Sequence, residues 1–152
     1  MMLMNDIDYK VLKIIYRNNG QAKIKHIRDK LNKYGYKDVS YSTIDSCIIR
    51  LSKKGYVIWE KYKPIMLSLE GEEFAKELIR HSQLLELLLH RELELTPEEA
   101  NQESEKFNLL FSCNTINKIC EKYEHPEECP CGEKILNSNE CYCHIVKDIS
   151  EK

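Results

Sequence analysis

Residues 41–68, YSTIDSCIIRLSKKGYVIWEKYKPIMLS, decide how the rest of the chain is read. Ile44, Ile48 and Leu51 recur at helical spacing. Ser40 or Ser42 stands ready to cap the first turn, and Lys53-Lys54-Gly55 closes the last. The β-rich run 56–60 follows, then a turn over 61–64 and a second short strand over 65–68. Upstream, Ile7, Val11, Leu12, Ile14 and Ile15 predict a helix over 7–16, stopped by Asn18-Asn19-Gly20. A second helix is expected over 24–32, with Ile24, Ile27 and Leu31 on one face, and residues 34–38 form a turn. Three short helices and a hairpin make a winged helix-turn-helix.

Downstream the pattern is helical throughout. A long helix is expected over 70–92, carrying Phe74, Leu78, Leu84, Leu85 and Leu88. Thr96 as N-cap, Pro97 at the first helical position and two acids behind it start another, expected to reach about 111. Ser112 or Asn114 caps a last helix with Ile116, Ile119, Cys120 and Tyr123 on one face, ended by His125-Pro126. The fold class is therefore mainly α with a small β-wing. Residues 1–69 form a winged helix-turn-helix DNA-binding domain, 70–126 a helical dimerisation domain and 127–152 a Cys-rich tail.

Composition narrows the function. No apolar run approaches the ~20 residues of a membrane span. The start lacks the basic region and apolar stretch of a secretory signal, so the expected location is cytoplasmic with no membrane partner. There is no GxGxxG, phosphate loop, HExxH or GxSxG, and the five glycines are scattered singly, so no enzyme is expected. The formal charge of −2 hides an asymmetry. Residues 1–68 carry 14 Lys and Arg against 6 Asp and Glu, and residues 69–152 carry 9 against 19. A basic half on an acidic half fits a nucleic-acid module joined to an assembly or sensing module, although two solvated helical surfaces would give the same count.

In a winged helix the third helix enters the major groove, where its early polar side chains meet bases and later basic ones meet phosphates. Tyr41, Ser42, Thr43, Ser46 and Arg50 occupy those positions, with Asp45 able to accept from cytosine. Lys53, Lys54, Lys61 and Lys63 would reach phosphates. The bland alternative makes Ser42 and Thr43 helix caps and the lysines solvated surface.

Six stretches, in order, are similar to the iron-dependent repressors and manganese transport regulators (the DtxR/MntR family). They are YKVLKIIY (9–16), LSKKGYVIWE (51–60), LSLEGEEFAKEL (67–78), LLE (84–86), SCNTINKI (112–119) and HPEECPCGEKI (125–135). The resemblance implies a homodimeric, metal-responsive transcriptional regulator, a probable repressor, on an operator in double-stranded DNA. It also implies family metal ligands on the first helix, before the Leu-Leu-Glu segment and in a final carboxylate and His set. Laid on this chain, those positions fall on Lys10 and Lys13, on Ser82, and on Glu105, Asn108 and Leu109. Glu86 and Glu105 alone remain as ligands, so iron or manganese is not expected at the family site. Lys10 and Lys13 are expected to couple the domains by pairing with those carboxylates, the alternative being that they extend into solvent. His81 lies one residue from the family's His position, about 100° round a helix, and is expected to point elsewhere.

Cysteine supplies a replacement. Cys129 and Cys131, with Cys141 and Cys143, give two CxC pairs whose four thiolates can hold zinc or an iron–sulfur cluster. Cys47, Cys113 and Cys120 are expected in the core, and His26, His90 and His125 without partners at ligand spacing. The homodimer is expected to form through Phe74, Leu84, Leu85 and Leu88. The competing reading is a metal- or redox-sensing protein-interaction module that kept the fold without operator binding.

Overall fold

A computed structural model describes residues 4–109 and 111–137. Cys141 and Cys143 lie outside the described residues. The chain divides into two compact units, Met1–Lys76 and Glu77–Lys152.

The first unit begins with α1 (Asp6–Arg17), whose apolar stripe buries Val11, Leu12 and Ile15. Asn19 and Gly20 both take positive φ to end the helix and turn the chain. The two-residue strand β1 (Gln21–Ala22) follows, then α2 (Ile24–Lys33), which buries Ile27 and Leu31. α3 (Tyr41–Lys53) is capped by Ser40, whose hydroxyl accepts from the Thr43 amide at 3.1 Å, and it buries Ile44, Cys47, Ile48 and Leu51. The wing strands are shorter than the sequence pattern suggests: β2 (Val57–Ile58) and β3 (Ile65–Leu67). They form a three-stranded antiparallel sheet in the order β1-β3-β2. Ala22 pairs with Ile65 and Val57 with Leu67, which makes β3 the central strand. β1 is not predicted, because two residues are too few to show alternation.

α4 (Leu69–Leu93) starts in this unit. The Ser68 hydroxyl donates to the Gly55 carbonyl at 2.6 Å and accepts from the Gly71 amide at 3.0 Å, tying the wing to the helix start. Phe74 lies against Tyr9 (edge-on, centroids 5.9 Å apart) and Tyr56 (4.9 Å). A Cβ on Gly71 would come within 1.9 Å of the Tyr56 carbonyl oxygen, so only glycine lets the helix approach the wing this closely.

The second unit holds the rest of α4, α5 (Pro97–Ser104) and α6 (Cys113–Lys122). Thr96 and Glu99 cap α5 reciprocally, and Ser112 caps α6 by accepting from the Thr115 amide at 3.2 Å. α5 stops at Ser104 rather than near 111. Beyond it Phe107 and Phe111 are exposed and Leu109 is buried. The core joins Leu84, Ile116, Ile119 and Cys120 to Cys129 and Ile135, with Leu88 and Tyr123 packed against it. Phe74, Leu84 and Leu85 are thus buried within the chain itself, and Leu88 half-buried. They are not the exposed dimer seam expected of them: Tyr9 and Tyr56 cover Phe74, and the chain from 112 to 135 covers Leu84 and packs against Leu88, which helical spacing alone cannot reveal.

Gly71→Ala tests the close approach of helix and wing. The added methyl group forces a backbone shift costing about 1–3 kcal/mol, read as a lower midpoint in denaturant unfolding of the full chain.

Candidate functional site

The polar start of α3 is open to solvent. Tyr41, Ser42, Thr43, Asp45 and Ser46 are all exposed. The Arg28 guanidinium lies over the Tyr41 ring, 4.9 Å from its centroid, an additional basic group that the sequence pattern did not single out. The Ser46 hydroxyl donates to the Ser42 carbonyl at 3.1 Å. Lys53, Lys61 and Lys63 are exposed and Lys54 half-buried. Lys63 pairs with Glu60 at 2.7 Å, and Lys61 lies 5.1 Å from the Tyr62 ring centroid. Tyr62 at the wing tip is 94% exposed, with Ile58, Trp59 and Met66 open as well.

Arg50 does not extend from this face as a free base reader. Its Nε and Nη2 both donate to Asp8 of α1 at 2.8 Å, and Nη2 also reaches Cys47 Sγ at 3.3 Å. Asp8 is fully buried and also accepts from the Asn5 amide at 2.9 Å, so a bidentate pair locks α3 against α1. Burial, reinforced by Asp8, pushes the Cys47 thiol up to about 12, which makes it an inert core residue. Lys10 and Lys13 are 2% and 0% exposed, so neither extends into solvent, and neither is without a partner.

In the second unit the structure gathers Glu86, Cys129 and Cys131, with one ligand atom from each within 4.8 Å of the others. Glu86 sits on α4 with Oε1 accepting from Asn101 Nδ2 at 2.8 Å and Oε2 from the Cys131 amide at 3.0 Å. Cys129 and Cys131 bring their sulfurs to 3.0 Å. They stand in a tight loop: the Gly132 amide donates to the Cys129 carbonyl at 2.8 Å, and the Cys129 amide to the Glu133 carbonyl at 2.9 Å. Gln83, buried on α4, anchors the far side of this loop. Its Nε2 donates to Glu133 Oε1 at 2.7 Å and to the Lys134 carbonyl at 2.8 Å, while its Oε1 accepts from the Leu136 amide at 2.9 Å. Residues 127–137 are therefore folded onto α4. Glu105, the other carboxylate retained from the family set, is buried and has a partner of its own. Ser82, at the family's His position, donates to the Leu78 carbonyl at 3.2 Å instead.

The donor chemistry of Glu86, Cys129 and Cys131 fits a divalent cation. Desolvation, together with the sulfur neighbour and the Glu86 charge, holds the Cys129 thiol well above its ordinary value. Desolvation and Glu86 also raise that of Cys131. A cation placed among the three would reverse both effects. His125, expected without a partner, turns Nδ1 towards Cys120 Sγ at 3.4 Å, and His90 Nδ1 meets the Leu95 carbonyl at 2.7 Å.

A model of the iron dependent repressor metal binding and dimerisation domain matches residues 68–137, and one of the penicillinase repressor matches residues 5–102. The chain belongs to the DtxR/MntR-like family of metal-dependent transcriptional regulators. It is 28% identical over 117 residues to the HTH-type transcriptional regulator MntR of Lysinibacillus sphaericus (strain C3-41), spanning 77% of this chain and 79% of that one. The manganese regulator SloR superposes with a TM-score of 0.73 at 25% identity, covering 92% of this chain and 63% of its own. A manganese-dependent transcriptional repressor solved with manganese gives a TM-score of 0.75 at 24% identity, covering 87% of this chain and 59% of that one. The chain thus spans under two thirds of those two solved chains. The penicillinase repressor match takes in the winged helix and ends within α5. A family of transcriptional regulators is not one of enzymes, in line with the missing catalytic motifs.

The raised thiols fix the sign of the pH dependence that a cation bound there would show. Both are protonated at neutral pH, so a cation must displace their protons. Apparent affinity should rise with pH by about tenfold per unit for each proton displaced, throughout the range below the thiol pKa values. Zinc titration calorimetry in buffers of differing ionisation enthalpy measures the protons released. The expected change is a release near two per cation at Glu86, Cys129 and Cys131, falling by one in Cys131→Ser.

Proposed function

We propose that this chain is a homodimeric, metal-responsive repressor that acts in the cytoplasm by occupying an operator in double-stranded DNA. The observation that carries the reading is the exposed polar start of α3 beside a lysine-bearing wing, in a chain whose second unit gathers a carboxylate and two thiols. Tyr41, Ser42, Thr43 and Ser46 read base edges, and Lys53, Lys54, Lys61 and Lys63 meet phosphates. Arg50 acts one step back, holding α3 in place through Asp8.

The responsive cation is held by Glu86, Cys129 and Cys131. Among the described residues the donor set is one carboxylate and two thiolates, which suits a zinc-like cation, and Cys141 and Cys143 would complete four thiolates for zinc or an iron–sulfur cluster. A cation there would pin the 127–137 loop to α4. The positions aligned with the family's first-helix and His ligands are Lys10, Lys13 and Ser82, which offer a cation no carboxylate or imidazole. Sequence-selective binding of genomic fragments in gel shifts, lost on chelation and restored by zinc, is the expected result. Uniform weak binding that vanishes at moderate salt would favour the protein-interaction module instead. Lys61→Ala should weaken binding to all DNA about equally and reduce the salt slope by roughly one unit.

The dimer uses apolar side chains that the chain leaves open. Leu93, Phe107 and Phe111 are exposed in the second unit, Leu93 at 63%. An apolar contact is not screened by salt, so sedimentation should find a dimer at micromolar concentration in both low and high salt. Phe107→Glu should shift it towards monomer without moving the denaturant midpoint by more than about 0.5 kcal/mol, the range of a surface substitution.

A further inference from the structure

A second cluster lies on α4 at its other end, and neither the family resemblance nor the function above uses it. Glu77 and His81 stand four residues apart on one face of the helix, and Cys113, the first residue of α6, meets them there. His81 Nε2 is 2.8 Å from Glu77 Oε1, Cys113 Sγ is 2.7 Å from the same oxygen, and Sγ to Nε2 is 3.7 Å. Glu77 and His81 are buried and Cys113 is half-exposed. His81 Nδ1, on the far edge of the ring, is buried with no hydrogen-bond partner.

Glu77 Oε1 is the meeting point: the Cys113 thiol donates to it, and His81 Nε2 lies within hydrogen-bond distance of it, its role set by the ring tautomer. Nothing on the Nδ1 side holds the ring proton either way, so the proton can reside on Nδ1 and leave the Nε2 lone pair directed into the triangle. We propose that Glu77, His81 and Cys113 bind a divalent transition-metal cation of zinc type. The ligands are one Glu77 oxygen, His81 Nε2 and the Cys113 thiolate, and the fourth position opens to solvent past the half-exposed Cys113. Imidazole, thiolate and carboxylate are the donors that zinc accepts together.

The fit is close. Zinc–ligand distances of about 2.0–2.3 Å in a tetrahedron set ligand atoms roughly 3.3–3.6 Å apart. The sulfur–nitrogen edge is 3.7 Å already. The two edges to Glu77 are shorter, so the carboxylate must withdraw by about half an ångström to a little under one to admit the ion, a small torsional change for a three-torsion side chain. Binding displaces the Cys113 proton to solvent and involves no change of oxidation state. The site is separate from Glu86, Cys129 and Cys131: nine residues along α4 is about 14 Å and half a turn, which puts Glu77 and Glu86 on opposite faces. It therefore stands whether or not that other site binds metal.

Alkylation tests it on the wild-type full chain, because mass mapping reads Cys113 apart from the other six cysteines. Iodoacetamide labelling of Cys113 under reducing conditions should slow by at least about tenfold in saturating zinc and recover with chelator. Glu77→Gln, nearly isosteric, should lose that protection while zinc still protects Cys131. With cobalt(II) as a spectroscopic probe, Cys113→Ser should bind one fewer equivalent per chain and lose part of the thiolate-to-cobalt absorption. Labelling of Cys113 that proceeds equally with and without zinc overturns the site, as does protection that survives Glu77→Gln undiminished.

Discussion

A polar side chain buried on a helix must find a partner inside the protein, and α4 carries Glu77, His81, Ser82, Gln83 and Glu86 buried within ten positions. That constraint organises the second unit. Gln83 is satisfied by the backbone of the Glu133–Leu136 segment and by the Glu133 side chain, Glu86 by Asn101 and the Cys131 amide. Arg80 adds Nη1 to the Leu136 carbonyl at 3.0 Å and Nη2 to Asn117 at 3.2 Å. Among the described residues after α6, 123–137 carry a single bridge, between Glu128 and Lys134, and these hydrogen bonds tie the segment to α4. Its two apolar anchors, Cys129 and Ile135, complete the core under Leu84.

The first unit meets the same requirement with charge. Asp8 faces inward on α1 because Arg50 comes to it from α3 with two parallel hydrogen bonds. Truncating either partner would leave the other ion buried alone, a loss of about 3–5 kcal/mol where burial is complete and less here, since Arg50 is 18% exposed. The pair therefore sets how α3 is presented. A helix whose outer face must lie in a groove is positioned from behind by a bond that touches no ligand.

Most of the first unit is legible in the sequence because its elements follow simple signals: Ile44, Ile48 and Leu51 on α3, Val11, Leu12 and Ile15 on α1, and the cap Ser40, as Thr96 and Ser112 are legible caps in the second. What escapes is whatever depends on partners distant in sequence. β1 is too short to have a pattern and exists only because β3 is there to pair with. Arg50 looks like a groove-facing residue until Asp8, 42 positions earlier, is known to lie opposite. Leu84 and Leu88 read as surplus apolar surface until the chain from 112 to 135 packs against them. The gathering of Glu86, Cys129 and Cys131 is half legible: the cysteines announce themselves by spacing and Glu86 by resemblance, but the loop that brings them together is anchored by Gln83, which carries no motif at all. His81 stands one residue from the family's His position in the sequence, and in the fold it meets Glu77 and Cys113.

Two carboxylate–thiol clusters on opposite faces of one helix follow from a single electrostatic fact. Burial, with a carboxylate nearby, keeps a thiol protonated, as at Cys129 and Cys131 beside Glu86, so the contact stays one of thiol and carboxylate until a cation displaces the proton. Placing carboxylate beside sulfur inside a protein is unfavourable for stability alone, since an apolar pair of the same volume would pack with no charge to desolvate. A divalent ion joining the groups would reverse the balance, because carboxylate and thiolate are then both drawn to it. The two clusters also bridge different partners. Glu86 faces the loop at Cys129 and Cys131, and Glu77 with His81 faces the first turn of α6. Ions at both positions would tie α4 to each of the segments that cover it. The stiffness of the second unit would then depend on cation supply at two points of one helix rather than on its apolar core alone.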